Sequence, residues 1–234
     1  HRHKGHEGQE ELIDLIDTQT DPTVATYAKE GECSLRIASK RKTLQEAKAA
    51  VDEMTEQVVI RVGEYIYSYD DEDLYQVVGR KLLQSGISIS SAESCTGGLF
   101  STTLTEIPGI SSVFDRSLVT YSNRAKIDEL GVDPEILEKH GAVSENTAIA
   151  MAEGLKKVSG SRLNISVTGI AGPEGGTEDK PVGLVYICTI LDDDTVCKRT
   201  LIRNVDRRWN RNYTVMLMLD GINRMLDKRP QIEQ

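Results

Sequence analysis

The chain has 234 residues, a formal net charge of -9 and a pI near 5.1. This acidic balance argues against broad electrostatic attraction to nucleic acid or to an anionic membrane. With 38% hydrophobic and 28% charged residues, the chain can bury a substantial core and fits one medium domain plus a small one. No apolar run approaches the roughly 20 residues of a membrane span, and no signal-peptide segment is present, so we expect a cytoplasmic protein.

The four cysteines are scattered along the chain, without a C-x-x-C pair or a histidine cluster at zinc spacing. A chain of this size does not need a disulfide framework to fold. We therefore expect reduced thiols, no metal and no cofactor.

The first part of the chain predicts a small α+β domain. Residues 1–11 are polar and are expected to form a mobile tail, and the domain is expected to cover residues 12–72. Alternation from Cys33 to Ile37 predicts a strand. Thr43 and Glu46 form a capping-box pattern at the start of an apolar helical stripe that runs from Leu44 to Val58. The tyrosine-rich run at residues 65–69 predicts a second strand.

Residues 73–234 predict a larger domain in which helices and strands alternate. A helix from Asp73 ends at Gly86, and a short strand at Ile87 to Ile89 precedes a glycine-rich turn and the helix Leu99 to Leu104. Later strands are expected around 118–121, 164–168, 182–190 and 196–202, with helices around 123–130 and 145–158 and a closing helix that carries Val215 to Met225. The expected fold is an α/β sandwich with a mixed sheet.

The turn Glu93-Ser94-Cys95-Thr96-Gly97-Gly98 lies between that short strand and helix. A strand that turns through small residues into a helix can present a serine hydroxyl beside unpaired backbone N–H groups, as acyl transfer requires. Ser94 is therefore a candidate nucleophile. The same residue types are also common as caps and turn residues, so the hexapeptide alone leaves both interpretations open.

Further motifs follow in a fixed order: Thr120 to Lys126, His140 to Ser144, Thr168 to Pro173 with Gly175 and Gly176, and Asp206-Arg207 with Arg211. Together with the Ser94 turn, and over residues 82–227, this set resembles the CinA carboxy-terminal domain family. The resemblance implies an amidohydrolase that converts nicotinamide mononucleotide and water to nicotinate mononucleotide and ammonia. It also implies a homo-oligomer, with a dimer expected.

The resemblance implies that Ser94, Tyr121 and Lys126 carry the catalysis. Amide hydrolysis by a serine needs a base, and a lysine can act as one only when its amine is neutral. Whether Lys126 or Tyr121 is the proximal base stays open at this point. Cys95 competes with Ser94 as the nucleophile, although the family pattern selects Ser94.

The remaining candidate residues would bind the oxyanion or the substrate. The backbone amides of Thr96, Gly97 and Gly98 are candidates for the oxyanion, and the Thr96 hydroxyl either orients the carboxamide or caps the helix. The glycine-rich segment after the 164–168 strand is expected to contact phosphate or ribose; its candidate residues are Thr168, Gly169, Ala171 and Gly172. Arg207 and Arg211 share a helix face and would bind the ligand or a second subunit.

Residues from Leu12 to about Gly79 are similar to the linker and small KH-like domain of longer CinA proteins. RNA binding by KH domains uses a G-x-x-G loop, and none lies between the predicted elements, so no direct nucleic-acid contact is expected. Two alternatives to the deamidase remain. One is an interaction module for DNA uptake or recombination that acts through protein partners, and the other is a metal-dependent nucleotide pyrophosphatase.

Overall fold

The computed structural model describes residues 4–29, 31–203 and 206–227. The chain forms two compact units, at residues 1–71 and 72–234. In the described ranges, no helix is long and apolar enough to cross a membrane.

The smaller unit consists of α1 (Lys4–Asp17), β1 (Thr23–Ala28), β2 (Cys33–Ala38) and α2 (Leu44–Val62). The two strands form an antiparallel hairpin. The capping box at the start of α2 is confirmed, because the Thr43 hydroxyl accepts from the Glu46 amide at 3.2 Å and the Glu46 carboxylate accepts from the Thr43 amide at 3.2 Å. The predicted apolar stripe is buried at Val58, whereas Leu44 is 87% exposed.

The prediction that the first element begins only near Leu12 is wrong, because residues 4–11 lie in α1. The mobility of the tail stays a prediction, and residues 1–3 fall outside the described ranges. The physical reason is an anchor at the carboxyl half of this helix. Leu12 is buried and packs with Val58 and Val62 of α2. An anchored turn provides the nucleus from which a helix extends towards its amino end.

The strand predicted at residues 65–69 is also wrong. Gly63–Tyr65 forms a 3-10 turn, and residues 66–70 form no strand. Tyr65 and Ile66 pack against the Leu12 cluster, so their alternation reflects local packing and not sheet pairing. The partner of β2 is β1, which the sequence analysis did not predict.

The elements of the larger unit are α3 (Leu74–Ser85), β3 (Ile89–Glu93), α4 (Leu99–Leu104), β4 (Phe114–Val119), α5 (Asn123–Leu130), α6 (Pro134–His140), α7 (Glu145–Ser159), β5 (Leu163–Gly169), β6 (Leu184–Leu191), β7 (Asp194–Leu201) and α8 (Arg207–Leu226). The predicted helices and strands are present, with β3 and β4 shifted by a few residues. Helix α6, which begins with the N-cap Asp133 and Pro134, has no counterpart among the predicted elements.

The five strands form one mixed sheet in the order β4-β3-β5-β6-β7. Strand β3 is parallel to both β4 and β5, while the β5–β6 and β6–β7 pairs are antiparallel. Every residue of β3 is buried, as expected for a central strand with helices on both faces. The α/β fold with a mixed sheet is thus confirmed. The carboxyl ends of β4, β3 and β5 meet at one edge of the sheet.

Helix α5 is positioned by close packing against α7. Gly154 lies in the middle of α7, and a Cβ atom there would lie 1.9 Å from the Leu130 carbonyl oxygen at the end of α5. A glycine is therefore required for the two helices to approach this closely. Gly221, in the middle of α8, has no such neighbour, since its nearest atom would be the Thr189 hydroxyl at 3.9 Å.

These two glycines give matched variants. Gly154→Ala should lower the free energy of unfolding by about 1–3 kcal/mol because the methyl group forces α7 away from a backbone carbonyl. Gly221→Ala should raise it by about 0.5–1 kcal/mol because alanine favours the helix and meets no obstacle. Urea unfolding of the full chain measures both. A Gly154→Ala protein as stable as the unchanged chain would contradict the packing described.

Candidate active site

The edge where the three parallel strands end collects the predicted catalytic segments. Ser94 follows β3, Tyr121 follows β4, and Thr168 and Gly169 end β5. The Ser94 amide donates to the Val167 carbonyl at 3.1 Å, which ties the Ser94 turn to β5. Ligand sites in open α/β sheets form at such an edge, beyond the carboxyl ends of the strands.

Lys126 reaches this edge from the first turns of α5. Its side chain is 1% exposed, and its Nζ lies 3.1 Å from the Ser94 hydroxyl oxygen. The same nitrogen lies 2.8 Å from the Thr120 carbonyl oxygen and 3.3 Å from that of Tyr121. Helical side chains lean towards the amino end of their helix, which is why Lys126 meets the two residues just before α5.

Burial lowers the pKa of the Lys126 amine below its ordinary value of 10.5, and the charge of the Cys95 thiolate would act weakly in the opposite direction. In the described part of the chain, no carboxylate forms an ion pair with Lys126. A neutral amine has two N–H groups and one lone pair. Nζ donates to the two carbonyls and to the Ser94 hydroxyl oxygen. When the amine is neutral and the carbonyls hold its two N–H groups, its lone pair can instead accept from the Ser94 hydroxyl.

Glu93 organises the turn that follows it, a role the sequence analysis missed. Its carboxylate is fully buried and accepts five hydrogen bonds at 2.8 to 3.1 Å. The donors are the hydroxyls of Thr96 and Ser117 and the amides of Gly98, Phe100 and Ser101. Glu93 thereby caps α4, whose N-cap residue is a glycine without a side chain.

The candidate oxyanion donors differ in their availability. The Gly98 amide donates to Glu93, and the Gly97 amide donates to the Ser94 carbonyl at 3.1 Å. Within residues 31–203 and 206–227, the amides of Cys95 and Thr96 bond to no other residue. The Thr96 hydroxyl is committed to Glu93 at 2.8 Å. Of the three predicted amides, only that of Thr96 thus bonds to no other described residue, and the same holds for the Cys95 amide; the two residues are 0% and 6% exposed.

The buried position of Cys95 does not suit a nucleophile. Its side chain is 6% exposed, and a Cβ atom at Gly169 would lie 3.2 Å from its sulfur. The pKa of the Cys95 thiol is raised to about 12, mainly by burial and in part by the Glu93 carboxylate. The backbone amide of Cys95 itself opposes this shift in part, as do the nearby Lys126 and Arg211 side chains. Since the thiolate is the reactive form, Cys95 is poorly suited to attack at neutral pH.

Both predicted arginines contact the loops of the site. Arg207 donates to the Gly172 carbonyl at 2.9 Å and to the Tyr121 hydroxyl at 2.8 Å. Arg211 donates to the Thr96 carbonyl at 2.7 Å. The Tyr121 hydroxyl is thus held by Arg207, while it is the backbone carbonyl of Tyr121 that faces Lys126. Among the described residues, no carboxylate neutralises Arg207 or Arg211 through an ion pair.

The segment after β5 is held from two sides. The Thr168 hydroxyl is buried and donates to the Ala142 carbonyl at 2.7 Å, so it does not face the site freely. The Ala171 carbonyl accepts from the Asn210 side chain at 2.9 Å. Asn210 was not a sequence-based candidate, although its position three residues after Arg207 places both on one helix face.

Comparison with known families gives two matches that together span most of the chain. Residues 71–226 match the family described as CinA C-terminal domain. Residues 7–68 match the family described as Damage-inducible protein CinA KH domain.

Curated relatives match over nearly the whole chain. A putative competence-damage inducible protein of Acetivibrio thermocellus is 44% identical over 220 residues, which is 94% of this chain and 53% of the relative. A CinA-like protein of Dictyoglomus thermophilum is 46% identical over 218 residues, which is 93% of this chain and 53% of the relative. The chain therefore spans about half the length of the curated relatives it matches.

Solved structures resemble about two thirds of the chain. The competence/damage inducible protein CihA from Agrobacterium tumefaciens is 39% identical with a TM-score of 0.63, covering 68% of this chain and 99% of its own. A competence-damaged protein (CinA) superfamily protein from Enterobacter cloacae is 30% identical with a TM-score of 0.63, covering 68% of this chain and 96% of its own.

The environment of Cys95 predicts low thiol reactivity in the folded protein. A pKa of about 12, against an ordinary 9.0, reduces the thiolate fraction near pH 8 by about 10³-fold. Iodoacetamide should therefore modify Cys95 at least about 10³-fold more slowly in the native chain than in the urea-unfolded chain. Peptide mass spectrometry of timed samples measures both rates. Comparable rates in the two states would contradict the buried thiol.

Proposed function

The chain belongs to the CinA family, and we propose that its larger unit is a serine-dependent amidohydrolase that converts nicotinamide mononucleotide and water to nicotinate mononucleotide and ammonia. The observation that carries the reaction type is the 3.1 Å approach of the buried Lys126 amine to the Ser94 hydroxyl. A neutral amine at hydrogen-bond distance from a hydroxyl is the arrangement that general-base activation of a serine needs.

In the first half of the reaction, the Ser94 oxygen attacks the carboxamide carbon while its proton passes to Lys126. The carbonyl oxygen of the substrate becomes an oxyanion, and the Cys95 and Thr96 amides are the available donors to stabilise it. Lys126 then returns the proton to the departing nitrogen. The C–N bond breaks, ammonia leaves, and an ester links the acyl group to Ser94.

In the second half, water replaces ammonia. Lys126, neutral again, takes a proton from a water molecule that attacks the ester carbon. Collapse of the second tetrahedral intermediate breaks the bond to Ser94, and the proton returns to the serine oxygen. The cycle consumes one water molecule and uses the same base in both halves, which is why one buried lysine is sufficient.

The arginines support an anionic substrate. Arg207 and Arg211 approach the Ser94 turn and the Gly172 loop through contacts with uncharged groups, so their positive charge is not neutralised by ion pairs with described carboxylates. Guanidinium groups in such a setting bind phosphate well. The family resemblance narrows the anion to the phosphate of a nicotinamide nucleotide, with the loop from Thr168 to Gly172 as a further contact.

A second candidate function is an interaction module that acts through protein partners without hydrolysis. The names of the relatives are the reason to consider this second function, because they refer to competence and damage induction. This alternative does not account for a buried lysine directed at a serine hydroxyl, since burying an amine that forms no ion pair with a described carboxylate costs stability.

The first test is ammonia release from nicotinamide mononucleotide in the presence of a chelator. The unchanged chain should release ammonia, whereas Ser94→Ala should lower the rate by at least about 10³-fold because the nucleophile is lost. Cys95→Ala is the matched control and should retain most of the activity. The absence of ammonia from folded, unchanged protein would favour the interaction module, and loss of activity only in Cys95→Ala would make Cys95 the nucleophile.

The second test is the pH dependence of the same reaction. Because only neutral Lys126 can accept the serine proton, kcat/KM should rise with pH and reach half its maximum below 10.5, the ordinary lysine value. Assays should start above pH about 6.5, since the substrate phosphate titrates near 6. Lys126→Arg stays protonated and should be inactive throughout. A midpoint at or above 10.5, or an active Lys126→Arg protein, would contradict the assignment of the base.

A further inference from the structure

Glu93 directly precedes Ser94 and is the last residue of β3. Its Oε2 atom accepts from the Thr96 hydroxyl and from the Gly98 and Phe100 amides. Its Oε1 atom accepts from the Ser101 amide at 2.9 Å and from the Ser117 hydroxyl at 3.1 Å. A single buried carboxylate therefore joins the turn, the start of α4 and the neighbouring strand β4.

These bonds determine which amides remain available beside Ser94. The Gly98, Phe100 and Ser101 amides point at Glu93 and cannot bind a substrate oxygen at the same time. The Cys95 and Thr96 amides bond to no other residue among those described and are left over. The peptide between Thr96 and Gly97 is fixed from its other side, because Arg211 donates to the Thr96 carbonyl at 2.7 Å.

We propose that Glu93 is a positioning residue for catalysis, which orients the Ser94 turn so that the Cys95 and Thr96 amides form the oxyanion site. This inference rests on the proposed serine mechanism and adds to it a residue that touches neither the substrate nor the reacting atoms. The effect on the reaction arises through geometry. Oxyanion donors act only when they are held in place before charge develops.

Glu93→Gln tests whether the carboxylate is needed as a hydrogen-bond acceptor or whether a side chain of the same shape is enough. The glutamine side chain has nearly the same size, but either orientation of its amide sets an NH₂ group against at least two of the five donors. The turn must therefore rearrange. Ser117→Ala is the milder variant, since it removes one of the five donors to Glu93 and leaves the carboxylate and its four other bonds in place. It also removes the bond that the Ser117 hydroxyl accepts from the Ser91 hydroxyl at 2.8 Å, which adds to its cost in stability.

Ser161→Ala is the matched control. The Ser161 hydroxyl is buried and bonded to the Ser90 hydroxyl at 2.8 Å. It lies just before β5, at the end of the sheet opposite to Ser94, so its loss costs a buried hydrogen bond without touching the turn. If Ser117→Ala and Ser161→Ala lose the same stability, any difference between their labelling rates comes from the position of the lost hydroxyl relative to the Ser94 turn.

The test is covalent labelling of the full chain by a small alkyl fluorophosphonate, which does not depend on the identity of the substrate. The Ser94 oxygen forms a bond to phosphorus, the P–F bond breaks, fluoride leaves, and the serine proton passes to Lys126. The phosphoryl oxygen occupies the oxyanion position. Saturation kinetics, measured where circular dichroism shows each variant to be folded, separate the maximal labelling rate from the half-saturating probe concentration.

We expect the maximal labelling rate to fall about 10²-fold in Glu93→Gln, as when an oxyanion donor is lost. Ser117→Ala should lower it about 3- to 10-fold, as for the loss of one typical hydrogen bond, and Ser161→Ala should stay within about twofold. The half-saturating concentration should change little in any variant. A merely structural role would lower thermal stability and leave the labelling rate per folded molecule unchanged.

Each outcome is decisive. Labelling of Glu93→Gln at the rate of the unchanged chain overturns the role of Glu93 and leaves the serine mechanism standing. If Glu93→Gln does not fold, a Ser117→Ala rate equal to that of Ser161→Ala overturns it instead. Ser94→Ala should not be labelled. If the unchanged chain is not labelled either, Ser94 is not the nucleophile, and both the serine mechanism and the role of Glu93 are contradicted. Labelling without ammonia release contradicts the proposed substrate alone.

Discussion

A lysine amine buried against a serine hydroxyl is the interaction on which the rest of this site depends. Removing an ammonium ion from water is costly, and in the described ranges no carboxylate compensates Lys126. The protein instead provides two backbone carbonyls, from Thr120 and Tyr121, that suit the two N–H groups of a neutral amine. The energetic cost of burial and the chemical need for a base therefore favour the same protonation state.

The mixed sheet makes this arrangement possible. Parallel pairing of β3 with β4 and β5 brings three loops to one edge, and each loop contributes one part of the chemistry. The loop after β3 carries Ser94, the proposed nucleophile, and the segment after β4 leads into α5 and Lys126, the proposed base. The loop after β5 is joined to α8 through Arg207. Glu93 and Arg211 then hold the Ser94 turn from opposite sides, so the loops depend on one another for their geometry.

Much of this could be read from the sequence, for identifiable reasons. Glycine positions, capping residues and apolar periodicity are local signals, and they located most helices and strands of the larger unit. Ser94 and Lys126 came from motif order and family resemblance, but their 3.1 Å contact depends on how two separate loops meet and has no local signal. Glu93 was missed because a glutamate at the end of a strand usually faces solvent. The amino-terminal helix was missed because its anchor, Leu12, is defined by a tertiary contact.

The most direct test of the central claim is the protonation state of Lys126 itself. Carbon-13 labelling of the lysine side chains, with Lys126→Met to identify the signal, allows its titration to be followed by NMR in the folded chain. A midpoint below the ordinary value of 10.5 is expected for Lys126. A midpoint at or above 10.5 would contradict the central claim, because the amine would then be a permanent cation beside Ser94 and could not accept the serine proton.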